Sequence, residues 1–138
     1  MARLIMLSGN LDSTPNGQTV IHPRTKRAVG RFGLTKIIVW NATGTVGGSW
    51  SGLGETDVLG TYGVLELYDE YDSTHTSTST PTAANRAIRV PVSGKSRLVL
   101  ELPGNGMMFE TGIRVAIGSE KSSNSGHFMY YQLLGYEY

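Results

Sequence analysis

Cysteine is absent from this 138-residue chain. That excludes disulfides and thiolate metal sites, and it leaves packing as the source of stability. Small secreted domains commonly carry disulfide staples, so their lack argues against that class. Nowhere is there an apolar run of the roughly 18 residues that a membrane-spanning helix needs. Met1 to Leu7 is too short, with too little after it, to be a signal peptide, and the expectation is a mature chain starting at or near Met1. Charged residues are scarce at 17% and apolar residues modest at 39%, with 18 glycines and many Ser and Thr filling the gap. Such a mixture favours strands joined by frequent turns. The 3.6-residue apolar spacing of an amphipathic helix is almost entirely missing. The length fits one domain, 1–138, with room for a two-layer core but not for two cores.

What is present is period-two alternation. Leu98, Leu100 and Leu102 fall on one face of a segment while Val99 and Glu101 fall on the other, as a half-buried strand requires. Ile113, Val115 and Ile117 repeat the pattern. Ile88, Val90 and Val92 do so again, with Pro91 marking an edge strand because proline cannot donate to a ladder. Lys36 to Ala42 is apolar on both faces and reads as a central strand. Val64 to Tyr68 turns Leu65 and Leu67 inward. Arg3–Leu7, Gln18–Ile21 and the aromatic stretch Phe128–Tyr138 bring the count to about eight strands. Breakers at Asn10, Pro15-Asn16-Gly17, Ser93-Gly94 and Pro103-Gly104-Asn105-Gly106 leave no room for crossover helices. The predicted fold is all-β: a two-sheet antiparallel β-sandwich, jelly-roll-like, with an up-and-down barrel as the alternative. Two long loops are expected, at 44–60 and 72–84, the first carrying Trp50 and Leu53 as an anchor for a partner or as core.

The net charge of +1 conceals an uneven distribution. Residues 1–40 hold six basic side chains against Asp12 alone, whereas residues 41–80 hold six acidic and no basic ones. Because the middle third balances the first, neither a nucleic acid nor a membrane is expected as partner. Arg24, Lys26, Arg27 and Arg31 form an N-terminal basic segment suited to an acidic protein neighbour.

The search for chemistry returns little. His22, His75 and His127 are isolated from one another and have no metal-ligand spacing. Gly47 to Gly52 centres on Trp50 rather than serine, so it is no nucleophile elbow. Phosphate-cradling and dinucleotide-binding motifs are absent. Asp69-Glu70-Tyr71-Asp72 offers oxygen ligands for Ca²⁺, or simply a solvated acidic turn. Tyr130, Tyr131, Tyr136 and Tyr138 suit either a sugar-stacking platform or packing against the core or a neighbouring subunit. Asn41-Ala42-Thr43 has the form of a glycosylation acceptor and reads as incidental. The expectation is therefore no catalysis, no metal and no cofactor.

Four segments in order, Leu34–Thr43, Val64–Asp69, Arg97–Leu102 and Met108–Ile117, resemble small structural proteins of tailed bacteriophages. The shared features are a strand ending in Asn-Ala, another ending in Tyr-Asp, and the step from Phe109 to Ile113. The resemblance spans about residues 34–118. It implies a virion component, of the capsid decoration or cement type, that sits as a homodimer or homotrimer on the outer capsid surface, is assembled in the host cytoplasm and clamps neighbouring subunits of the major capsid protein. On that reading Arg24, Lys26, Arg27, Arg31, Trp50 and Leu53 are candidate capsid contacts. Met107, Met108, Phe109, Tyr136 and Tyr138 are candidate oligomer contacts. The alternative is a receptor- or carbohydrate-binding tip domain of a phage tail or fibre.

Overall fold

The computed structural model describes residues 2–11, 17–41, 63–71, 81–92, 96–104, 106–118 and 129–138. Among these residues nine strands run in the order β1 (Arg3–Leu11), β2 (Gln18–Thr19), β3 (Phe32–Asn41), β4 (Gly63–Tyr68), β5 (Arg86–Val92), β6 (Ser96–Glu101), β7 (Met107–Phe109), β8 (Arg114–Gly118) and β9 (Met129–Glu137). A single 3₁₀ turn, Ala83–Asn85, is the one departure from strand and loop among the described residues.

These strands form two antiparallel sheets. The first has the order β1-β9-β3-β6, with β7 pairing the early part of β3, and the second has the order β2-β8-β4-β5. Counting β6 and β7 as one interrupted strand, pairing is nested: first with last, second with second-last, third with third-last, and the middle two with each other. A chain folded back on itself and then wrapped into two layers is a jelly roll.

Alternation places the core between the sheets. Leu7, Leu11, Ile37, Val39, Tyr131 and Leu133 from the first sheet meet Leu65, Leu67, Val90, Val115 and Ile117 from the second, all buried. Gly9 is required by this packing. A Cβ there would lie 2.5 Å from the Tyr131 hydroxyl oxygen, so the missing side chain admits the ring opposite it. Burial pushes the Tyr131 phenol well above its ordinary pKa. Asn41, fully buried at the end of β3, joins the layers by donating from Nδ2 to the Val92 carbonyl at 2.9 Å. Its burial leaves no room for a glycan.

β3 is the central strand its composition predicts, and Pro91 does lie on the edge strand β5. The segment is apolar on both faces, yet only one is covered: Trp40 is exposed, because the outward face of the first sheet is uncovered. The second sheet departs in the opposite sense. Val64, Glu66 and Tyr68 on β4, and Arg114 and Ala116 on β8, point away from the core and are nevertheless buried.

Candidate functional site

The outward face of the first sheet is the feature that stands apart. Cross-strand register orders its side chains into four rows. Asn10, Tyr130, Trp40 and Arg97 form the row at one end, and Ser8, Gln132, Ile38 and Val99 the next. Met6, Leu134, Lys36 and Glu101 follow, and Leu4, Tyr136, Gly33 and Met108 close the other end. Strand rise puts the end rows about 20 Å apart. Of the exposed large hydrophobic residues in the described chain, Leu4, Met6, Trp40, Val99, Met108, Tyr130 and Tyr136 all stand on this face. Tyr138 follows just beyond β9, its ring stacked under the Arg31 guanidinium at 5.6 Å.

The two ends of this face differ in chemistry. Leu4, Met6, Tyr136 and Met108 make the terminal end apolar, apart from the Lys36–Glu101 ion pair at 3.3 Å. At the opposite end an open cavity of about 430 Å³ is lined by Trp40 and Tyr130 together with Arg97, Asn10, Ser8 and Gln132. Every other strand cation among the described residues has a carboxylate partner: Arg3 with Glu137, Lys36 with Glu101, Arg86 and Arg89 with Glu66, and Arg114 with Glu70. Arg97 has none among them.

The basic segment is a tight hairpin rather than an extended arm. Val29 N–H donates to the Val20 carbonyl, His22 N–H to that of Arg27, and Lys26 N–H to that of His22. Lys26 adopts φ 61, the left-handed conformation that closes the turn. Buried His22 organises the loop from inside, its Nδ1 accepting the N–H groups of Arg24 at 3.0 Å and Thr25 at 3.3 Å. Its Nε2 faces Glu137 Oε1 at 3.4 Å. Arg24, Lys26 and Arg27 are thereby presented on the exposed tip. Arg31 lies outside the loop, paired with Glu110 at 3.0 Å.

Of the candidate oligomer contacts, Met108, Tyr136 and Tyr138 are outward and exposed. Phe109 is corrected: it is fully buried in the core, and Met107, on the same side of β7, packs half-buried against it. Trp50 and Leu53 lie outside the described residues, as does the loop 44–60. Of the loop 72–84 only 81–84 is described, and that part is no free excursion. Thr82 N–H donates to Glu70 at 2.9 Å and leads into the 3₁₀ turn.

The acidic run at Asp69 and Glu70 is neither a solvated turn nor an available cation site. Asp69 accepts the backbone N–H groups of Glu110, Thr111 and Gly112. Glu70 binds Arg114 at 2.5 Å and Asn85 at 3.1 Å. Burial works to raise the Glu70 pKa, but the hydrogen bonds from Thr82, Asn85 and Arg114 outweigh it and hold the carboxyl below its ordinary range. Beside it Glu66 accepts from Arg86, Arg89 and the Tyr68 hydroxyl. Burial, then the bond to Glu66, raises the Tyr68 phenol. Asp72 lies outside the described residues. Among the described residues no group of three or more His, Asp or Glu side chains is arranged to hold a metal ion.

Trp40 and Arg97 escaped the sequence reading as site residues. The available signal was parity: Trp40 shares a strand face with Lys36, whose charge marks that face as outward. Comparison with known families, curated proteins and solved structures finds no match for this chain.

Proposed function

We propose that this chain is a non-enzymatic virion structural protein, of the capsid decoration type, that binds the outer capsid and stabilises contacts between major capsid subunits. The observation that carries the reading is the uncovered apolar end of the first sheet, where Leu4, Met6, Met108, Tyr136 and neighbouring Tyr138 stand exposed together. Soluble monomers rarely leave so many large apolar side chains contiguous on one face, and such patches mark protein contacts. The jelly-roll fold and the ordered resemblance of residues 34–118 to phage structural proteins support the same role. In this arrangement the apolar end joins subunits of a dimer or trimer, and the cationic tip of Arg24, Lys26 and Arg27 meets an acidic capsid surface.

Light scattering on the purified chain, followed by co-sedimentation with phage capsids lacking it, tests the proposal. A stable dimer or trimer that sediments with particles is expected. Leu4→Ser with Tyr136→Ser is expected to yield monomers, and reversing the charges at Arg24, Lys26 and Arg27 to lower capsid occupancy while leaving the melting temperature unchanged. A monomer that ignores capsids overturns the reading.

A further inference from the structure

We infer that the groove between Trp40, Tyr130 and Arg97 is a binding site for an acidic sugar, a pyranose bearing a carboxylate. This goes beyond shell attachment and does not depend on it, because the groove occupies the opposite end of the face from Leu4 and Tyr136.

Three observations fit that ligand. Trp40 and Tyr130 are directly paired on adjacent strands and both are exposed. Neighbouring strands lie about 5 Å apart, so the two aromatic side chains offer a broad apolar platform at the scale of a sugar ring, whose C–H face packs on such surfaces. Around the apolar Ile38 the lining also carries polar groups: the Asn10 and Gln132 amides and the Ser8 hydroxyl supply donors and acceptors suited to ring hydroxyls. Arg97 completes the set. It is cross-strand partner to Trp40, exposed, and the strand cation that lacks a carboxylate among the described residues. A planar guanidinium beside an aromatic platform binds a carboxylate through two parallel hydrogen bonds, so the site's charge matches a sialic or uronic acid better than a neutral hexose. An acidic peptide would satisfy Arg97 and the amides but brings no ring C–H face to pack on the aromatic pair.

The test uses the full chain, labelled with ¹⁵N and titrated with the methyl glycosides of N-acetylneuraminic acid and glucuronic acid. Uncharged methyl galactoside and methyl glucoside serve as comparisons, and a glutamate-rich peptide as a competitor. Saturable shifts are expected at the Trp40 indole N–H and at the amides of residues 8–10, 97 and 130–132 with at least one of the two acids. Binding of the neutral glycosides is expected to be weaker by about tenfold, the size of one charge-assisted contact. Arg97→Gln, a change at an exposed position, is expected to erase that preference, and Trp40→Ala to abolish the shifts. Arg24→Gln, on the distant hairpin, is expected to change nothing. The inference is overturned if neither acid gives saturable shifts at the groove, if acid and neutral sugars bind alike before and after Arg97→Gln, or if only the peptide binds. Capsid co-sedimentation is a separate readout, so failure of the sugar site and failure of the shell reading are distinguishable.

Discussion

On the second sheet, Glu66, Arg86 and Arg89, with Glu70 and Arg114, neutralise one another on the face turned away from the core, and Glu66 and Arg114 are buried there. On the first sheet, Trp40, Tyr130, Leu4 and Tyr136 occupy the equivalent outward positions and stand open to water. The usual arrangement, in which charges face solvent and apolar groups are covered, is inverted between the two layers. Ion pairs taken out of water cost desolvation and must be fully partnered, whereas exposed aromatics carry no such requirement. The first face is thus where association is to be sought, and the second is where the fold is vulnerable.

The contrast predicts unequal mutational effects. The largest is expected for Arg114→Ala, which strands the Glu70 carboxylate, only 13% exposed, without its cation. A loss of about 3 kcal/mol is expected from a urea denaturation midpoint. The double variant with Glu70→Ala recovers part of it, because the stranded charge is gone. The same carboxyl sets an acid limit. Its folded pKa lies below the ordinary 4.5, so its contribution is fully present above that value and is lost as pH falls through the depressed one. Glu70→Gln is expected to flatten stability against pH in that window.

An intermediate effect is expected for Asp69→Ala, which leaves the N–H groups of Glu110, Thr111 and Gly112 without their shared acceptor. The expected loss is about 1 kcal/mol, together with faster amide exchange at those three residues. The smallest belongs to the open face, where Trp40→Ala or Val99→Thr is expected to move stability by no more than about 0.5 kcal/mol. A denaturation midpoint for Trp40→Ala as low as that for Arg114→Ala would break the comparison, because it would make Trp40 part of the packed structure.

Much of this architecture was legible in the sequence, for a physical reason. Strand alternation has a period of two, so Leu65 and Leu67, Val90 and Val92, and Val115 and Ile117 declare their inward face locally. Pro91 likewise declares an edge, since the missing N–H is a local fact. What alternation does not declare is whether the other face meets water. Glu66 between two buried leucines looks like a solvated charge, and its pairing with Arg86 and Arg89 exists only through register across β4 and β5. Phe109 was misplaced for the same reason, because β7 is too short to show its own alternation and its inward side is set by pairing with Phe32 on β3. The groove was illegible in kind: Asn10, Trp40, Arg97 and Tyr130 come from four strands spread over the chain, and only long-range pairing brings them into one row.

The place of β9 between β1 and β3 has a consequence for timing. A growing chain that has reached residue 118 already contains every strand of the second sheet, but it lacks the strand on which both inner edges of the first depend. Arg3 finds its ladder partner only at Glu137, so closing that sheet joins the most distant parts of the described chain in one step. Until residue 137 has been made, β1 and β3 present unpaired edges to the cell. The row of Asn10, Tyr130, Trp40 and Arg97 therefore assembles only after β9 has been made, later than every described strand of the second sheet.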